Sequence, residues 1–598
     1  MKEEELKMVK KLLRYKEIIG IIFIMSFFVH SYFFASRVMN GDYLGDTIYP
    51  YSQLILGRFM PLLFSKMIPP VLGILLSLGL SFSFVLLLEI LEITQKKLII
   101  ALASIIITFP ALAHSFPYMM NVERVALGIF FSVMAVFVVL KLEFKFRFLL
   151  GGIFLALSIG EYQSYLGVAI CLSIIYLIIK LLKQVNKNEI FRDITNLLGM
   201  GICGIIFYWL ILKVTLTIQG VKLANYRGLG QFDTLNFAQI KESLILAYAN
   251  FLRFFAGRNY IFLGKLQYII LGILMISLMI SLIEIIKQNV IEGSLIALLI
   301  VSFPMGVFVI DLVSPQAGVD IRQIYQLALF LILPVVLLEK MKWFDSSIKW
   351  KKIFANGILT VTLLLGFNYY LYTNAYYTRI AAYSEQTTLL LNRIWSRIEE
   401  MDEYNQNKNI PLLLLMDMKP LYEKEVPVYP DYVKFDVGYL DRFITFNQLN
   451  SIIGTNKFVG LMHNKLGIDI IPAGEADLDR ITRNEQYLTM GIWPEKDSIK
   501  AIDNIIVVNF KPILFYETKE TKDKIKIEAK SNKKNVQYAF YLYEDGEILT
   551  TQWYSETGIF EFSKSDLKRG GQVSIEIFCI DENGNYAGHV YIHKMDVK

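Results

Sequence analysis

Apolar residues fall in long runs from residue 17 to about residue 374, each separated from the next by a polar connection. A helix needs roughly 20 mostly apolar residues to cross the hydrocarbon core of a bilayer. Eleven stretches meet that requirement: 17–35, 70–92, 98–115, 122–140, 147–161, 164–182, 194–213, 267–286, 291–312, 322–339 and 353–374. Their connections sort into two sets. One set is short and basic, carrying Lys96 and Lys97, then Lys141, Lys145 and Arg147, then Lys180, Lys183, Lys187 and Arg192, then Lys287, and finally Lys340, Lys342, Lys349, Lys351 and Lys352. The other set is longer and poor in cations. Cytoplasmic loops carry the excess of Lys and Arg, so every loop agrees on a cytoplasmic N-terminus. Eleven crossings then place the residues after 374 outside the cytoplasm.

Two outer loops are long, 36–69 and 214–266. Loops of that size are uncommon unless they carry function. In the second, Ile240, Leu244, Ala247, Tyr248 and Phe251 recur at helical spacing within Phe237–Phe255. That spacing predicts an amphipathic helix, lying flat in the membrane interface or packed as a lid on the bundle.

After residue 374 the pattern changes. A Tyr- and Arg-rich helix is expected over Asn374–Met401, followed by a mixed segment with apolar strand-like runs at Leu412–Leu415 and Ile505–Val508. From about 522 apolar and polar residues alternate, predicting strands at Lys524–Glu528, Val536–Tyr543, Ile559–Phe562, Val573–Ile580 and His589–Lys594. Asp545-Gly546 and Asn583-Gly584 supply turn signals, and strands of this number and spacing predict a small Ig-like β-sandwich. The expected organisation is a transmembrane domain over 1–374, an extracytoplasmic helix with a mixed α/β segment over 375–520, and the sandwich over 521–598.

Composition narrows the class. The 598 residues are 55% hydrophobic, 14% aromatic and only 19% charged, with a mean hydropathy of +0.46. A soluble domain averages about 45–50% apolar and about 25% charged. Disorder, a nucleic-acid partner and a disulfide scaffold are excluded, and the lipid bilayer is the expected surroundings. The net charge of +6 is a topology signal, because six cations (Lys2, Lys7, Lys10, Lys11, Arg14 and Lys16) precede the first apolar run. Cys171 and Cys203 lie in apolar runs and Cys579 stands alone in the tail, so thiol chemistry has no support.

Candidate chemistry collects on the predicted outer side. Asp42 and Asp46 stand four apart just outside the first run, and a carboxylate at the mouth of an apolar cavity can take the proton of an acceptor hydroxyl. Arg58 follows in the same loop. Glu123 and Arg124 open the fourth run, Glu161, Tyr162 and Gln163 form the turn between the fifth and sixth, and Arg322 opens the tenth with Asp320 and Tyr325 beside it. Arginine suits bidentate phosphate binding. Taken singly, each of these charges reads more readily as a snorkelling interfacial residue than as a functional one; their shared side is what gives them weight. No Walker A or HExxH sequence occurs, and the acidic turn at Asp581 has Tyr586 and Ile592 where a calcium loop needs Gly and Glu.

These residues, in this order, resemble the bacterial GtrII-type membrane glucosyltransferases, grouped with the GT-C-like enzymes that use lipid-phosphate sugars. The resemblance rests on Asn40-Gly41-Asp42, Gly57-Arg58-Phe59, Phe116-Pro117-Tyr118, Tyr162-Gln163-Ser164-Tyr165 and Arg322. It covers about residues 10–374 and the segment following. Gly41 stands where the family pattern has a second aspartate, and Asn121 where it often has one. Asp42 is therefore the carry-over for the catalytic carboxylate, with Asp46 and Glu123 as substitutes.

The resemblance implies a polyprenyl-phosphate sugar donor, an undecaprenyl-phosphate glucose or relative, and a hydroxyl on a surface glycan such as O-antigen or teichoic acid as acceptor. It implies donor-phosphate contacts at Arg58, Arg124 and Arg322, and substrate contacts at Asn40, Tyr118, Tyr162 and Gln163. It is compatible with a divalent cation, Mg or Mn, without requiring one. The location implied is a bacterial inner (cytoplasmic) membrane. Two other readings stay open: a glycan polymerase or ligase of the same face, favoured if an arginine pair and no loop carboxylate is essential, and a lipid-linked sugar flippase or transporter. Transporters tend to show internal repeats and midplane ionisable residues; no repeat is seen here, and Glu89 and Asp311 lie near the ends of runs.

Overall fold

A computed structural model describes residues 2–35, 51–62, 71–116, 122–224, 237–256, 266–313, 321–416, 451–482, 484–511, 514–533, 535–544, 547–567, 573–582, 584 and 586–595. The described residues fall into two compact units, one up to Ala382 and one from Tyr383 onwards.

The first unit is all helical: α1 (Lys2–Ala35), α2 (Val71–Leu91), α3 (Lys96–Thr108), α4 (Pro110–Ser115), α5 (Val122–Lys141), α6 (Arg147–Glu161), α7 (Leu166–Leu182), α8 (Lys187–Gln219), α9 (Phe237–Ala256), α10 (Leu266–Gln288), α11 (Val290–Val301), α12 (Phe303–Val307), α13 (Val309–Val313), α14 (Leu327–Lys340) and α15 (Lys349–Glu399). Among the described residues eight helical spans are long and apolar enough to cross a membrane. The expected runs at 122–140, 147–161 and 322–339 coincide with the shorter α5, α6 and α14. The run expected as one helix over 291–312 is instead broken into α11, α12 and α13. Pro304, which has no N–H to give to the preceding turn, sits at the start of the second piece.

Burial explains the arrangement. Every residue of α14 from Leu327 to Leu338 is buried, as is nearly all of α3, and a helix apolar all round belongs in the centre of a bundle. Helices α8, α10, α11 and α15 instead expose Ile202, Ile206, Leu210, Ile276, Met279, Leu298 and Phe367. Such a belt is unfavourable in water and natural in lipid, so this is a membrane protein. Small residues let the helices approach. A Cβ on Gly152 would lie 2.8 Å from the Cys203 side chain, and one on Gly204 would lie 2.8 Å from Leu155, which is how α6 and α8 come together.

The basic ends are tied as well as charged. Lys141 reaches Glu92 at 3.0 Å, Lys183 bonds its other carboxylate oxygen, and Lys340 donates to its backbone carbonyl at 2.9 Å. One acid thus joins α2, α5, α7 and α14. Burial opposes its ionisation, but the two lysines outweigh that and hold its pKa at about 2, below the ordinary 4.5. A depressed carboxylate stabilises fully above about pH 4.5, and that contribution is lost as pH falls towards about 2. Glu92→Gln is expected to cost about 1 kcal/mol of stability at pH 7, because the pair is partly solvated. A thermal melt in detergent at pH 7 checks it.

The second unit begins within α15, which continues through residue 374 to Glu399 as one helix. Thr387, Leu391, Ile394 and Ile398 are buried at helical spacing along this extension. Strands β1 (Leu412–Leu415), β2 (Ile499–Ile502) and β3 (Ile505–Asn509) form a sheet in the order β1-β3-β2, with β1 parallel to β3 and β2 antiparallel to it. All four leucines of β1 are buried, as a strand covered on both faces requires. Helix α16 (Ser451–Leu461) docks through Thr455 and Ser451, whose hydroxyls accept from the Leu414 and Met416 amides at 2.8 and 3.0 Å. Lys465 closes the next turn onto α15, donating to the Ser384 hydroxyl at 2.6 Å and the Thr388 hydroxyl at 3.1 Å. Burial holds its ammonium below the usual lysine range.

Two antiparallel sheets follow, β10-β9-β6-β7 and β4-β5-β8, built from β4 (Leu514–Glu520), β5 (Lys524–Ser531), β6 (Val536–Glu544), β7 (Glu547–Ser555), β8 (Ile559–Ser563), β9 (Val573–Asp581) and β10 (Tyr586–Met595). Ile525 and Ile527, Phe540 and Leu542, Phe560 and Phe562, and Ile575 and Ile577 share one core between them. Strands β4 and β7 are not among those expected from the alternation, and β4 pairs along its length with β5, so the two-sheet region starts at Leu514. Cys579 faces this core, where burial pushes its thiol up to about 11.

Candidate functional site

The Gly57-Arg58-Phe59 element sits at the ends of the helices opposite the lysine ties. It begins with one helical turn, Tyr51–Leu54, and reverses at Gly57, whose φ of 79° favours glycine. Three successive carbonyls are each taken by a different part of the unit. The Ala224 amide donates to Ile55 at 2.8 Å, the Gln163 side chain to Leu56 at 2.8 Å, and the Tyr208 hydroxyl to Gly57 at 2.9 Å. Phe59 fills a notch at the end of α6 that exists only because residue 160 is glycine: a Cβ there would lie 2.3 Å from its ring.

The Arg58 side chain is fixed as firmly as its backbone. Its guanidinium donates to the Gln53 side-chain oxygen at 2.8 Å and lies over the Tyr162 ring, 4.5 Å from the centroid. Stacking plus a planar hydrogen bond uses features that a lysine lacks. The sequence-predicted Arg58, Tyr162 and Gln163 are thereby brought together. Tyr165 extends the group: its ring packs at 5.7 Å from Tyr162, and it lies in the electrostatic reach of Glu161, Tyr325 and Arg58.

Arg322 lies on the neighbouring turn Ile321–Gln323, which packs on α4; three residues on, the Tyr325 hydroxyl donates to the Ile106 carbonyl at 3.2 Å. Glu123 and Arg124 are in the first turn of α5, with their side chains outside the described residues. Asn40, Asp42, Asp46, Tyr118 and Asp320 also lie outside the described residues. Among the described residues no three His, Cys, Asp or Glu side chains are grouped as metal ligands would be.

Two carboxylates gain a place that spacing alone did not give them. Glu161 ends α6, 3% exposed, inside the Arg58–Tyr165 group. Asp311 is fully buried on α13, which packs against the Gln163–Tyr165 turn. One of its oxygens accepts from the Asn250 side chain at 3.0 Å; the other has no hydrogen-bond partner among the described residues. A lone acid in an apolar run is a signal of function in its own right. Asn250 comes from α9, whose Ala247, Phe251 and Phe254 are buried while Ile245 and Leu252 are exposed. The amphipathic helix expected in the second loop is therefore present, packed on α12 and α13.

The family model described as Glucosyl transferase GtrII matches residues 31–324, a stretch that runs from the end of α1 to the Arg322 turn. Over this stretch the chain is similar to the GtrII glucosyltransferase family. The match points to glucosyl transfer, and it takes in Arg58, Tyr162, Gln163, Glu161, Asp311 and Arg322 together with the loop carboxylates. Comparisons with curated proteins and with solved structures gave no match. The GtrII stretch ends before α15 and the second unit.

The notch at Gly160 gives a direct handle on the site. Gly160→Val is expected to push Phe59 out and shift Arg58 with it. Overpacking costs about 1–3 kcal/mol, whereas transfer should fall about a hundredfold, as small misplacements in an oriented site do. Comparing the thermal midpoint with the transfer rate separates the two effects.

Proposed function

We propose that this chain moves a glucosyl or related hexosyl residue from a polyprenyl-phosphate donor to a hydroxyl of a surface glycan, on the extracytoplasmic face of a bacterial inner membrane. The observation that carries the reading is Arg58, locked by Gln53 and Tyr162 beside the turn of Gln163 within a GtrII stretch. A cation held in advance where charge develops needs no reorganisation during reaction.

In the proposed step Asp42 takes the acceptor hydroxyl proton. The acceptor oxygen attacks the anomeric carbon as its bond to the phosphate oxygen breaks, and the electron pair leaves with polyprenyl phosphate. One displacement inverts the anomeric configuration. Arg58 and Arg322, with Arg124, hold the phosphate as its charge grows, while Asn40, Tyr118, Tyr162 and Gln163 orient the sugar and the acceptor. Asp46 and Glu123 are the substitutes for the base. The apolar belt on the outer helices supports a donor presented from lipid.

Purified protein in detergent, given labelled polyprenyl-phosphate glucose or labelled nucleotide-linked glucose with isolated surface glycan, tests the donor. Label should enter the glycan from the lipid phosphate alone. Incorporation from the nucleotide sugar overturns the donor assignment.

A further inference from the structure

The two-sheet region presents two outer faces of opposite character. On β4-β5-β8 the outward residues are charged and paired with one another: Lys526 with Glu528 at 2.8 Å, Lys524 with Glu561 at 2.7 Å, and Lys564 with Glu520. That is a solvated surface with its charges satisfied.

The outer face of β10-β9-β6-β7 is aromatic. Phe540, Leu542, Ile575 and Ile577 point into the core, so Tyr541, Tyr543, Glu576 and Phe578 point away from it. Tyr541 stands between Trp553 and Phe578, edge-to-face with both, at centroid distances of 5.9 and 5.4 Å. Trp553 is 69% exposed, and Ile548 on the same strand is 57% exposed. Beside the rings the Tyr543 hydroxyl donates to the Glu576 carboxylate at 2.8 Å, and Thr551 lies opposite Tyr541 in register. A tryptophan exposed to that extent, braced by two further rings, is costly in water unless something covers it.

Charge decides what covers it. Strands β6, β7 and β9 contain no lysine or arginine at all; Glu576 stands among their outward residues, whereas Glu544 and Asp581 are buried in phase with the core-facing ones. An anionic polymer or an anionic lipid surface would find no cation on these three strands to hold it. A neutral sugar chain fits on both counts: the C–H face of a pyranose stacks on aromatic rings, and its hydroxyls find acceptors and donors in Glu576, Tyr543 and Thr551.

We propose that the Trp553–Tyr541–Phe578 face binds a neutral hexose-containing glycan. This site is separate from the Arg58 group, and its occupancy does not depend on the transferase reading. The full-length protein in detergent is titrated with hexasaccharides of glucose, mannose and galactose, and with a polyglycerol phosphate of matched length, by calorimetry. At least one neutral hexasaccharide should bind and the polyanion should not. Trp553→Ala and Tyr541→Ala should each weaken binding about tenfold or more, equivalent to about 1.4 kcal/mol, while Trp553→Phe retains most of it. A thermal melt of each variant controls for folding, and the exposure of Trp553 predicts no shift on its truncation. The proposal is overturned if no neutral hexasaccharide binds the native protein, or if binding survives both alanine variants. It is equally overturned if the polyanion binds instead, or if Trp553→Ala abolishes self-association of a protein that binds no sugar, which would make this face an interface between copies.

Discussion

Asp42→Asn is expected to lower the turnover number of glucosyl transfer about a thousandfold, with little change in KM for the donor. A positioned general base contributes about 10²–10⁴ in rate, and an amide cannot accept the hydroxyl proton. The donor's phosphate and lipid are held by other groups, so ground-state binding of the donor is spared. The matched variants Asp46→Asn and Glu123→Gln should lose less than tenfold. If Asp42→Asn keeps full activity while either of the others loses it, the base is the other residue. If none of the three matters, a loop carboxylate does not carry this step, and Glu161 and Asp311, buried next to the Arg58 group, are the acids to change next.

Arg58→Ala is expected to reduce kcat/KM for the donor about 10²- to 10³-fold, the range seen on removal of a single preorganised donor to a developing anion. Both kcat and KM should move, because the phosphate is charged in the bound donor and more so as it leaves. Arg58→Lys should recover little. Lysine has a point charge on a flexible stem and cannot both hold the Gln53 oxygen and stack on Tyr162. Steady-state kinetics over a range of donor concentrations give both constants. Arginine and lysine variants of equal activity would show that position 58 supplies charge alone.

The parts of this fold set by local chemistry were legible in the sequence. The apolar runs give the helices, the alternation in Lys524–Glu528 and Val573–Ile580 gives β5 and β9, and the spacing of Ala247 and Phe251 gives α9. What escaped depends on distant partners. Strand β7 is exposed on much of its length, so it shows no two-residue alternation, and it exists because β6 pairs with it. Strand β4 ends in Glu517, Lys519 and Glu520 and reads as a polar loop until β5 is placed beside it. The change of composition at 374 suggested a break, yet α15 runs on, because Leu391, Ile394 and Ile398 give it a second buried face.

The site divides in the same way. Arg58, Tyr162 and Gln163 were identified from short motifs on a shared side, and the structure joins them. Tyr208, Gln53 and Asn250 had no signal, since a tyrosine in an apolar helix reads as packing until its hydroxyl is seen to take the Gly57 carbonyl. Glu161 was visible only as part of a turn. Its burial beside a fixed arginine is a tertiary fact.

The most direct measurement follows both products in one reaction. Full-length protein in detergent is supplied with polyprenyl-phosphate glucose labelled in the sugar, together with isolated surface glycan. Glucosyl incorporation, released polyprenyl phosphate and the anomeric configuration of the new linkage are then read in the same sample. The expected result is equal molar amounts of incorporated glucose and released polyprenyl phosphate, with the anomeric configuration inverted and both products lost together in Arg58→Ala. Retained configuration, release without incorporation, or full activity in Arg58→Ala would contradict it.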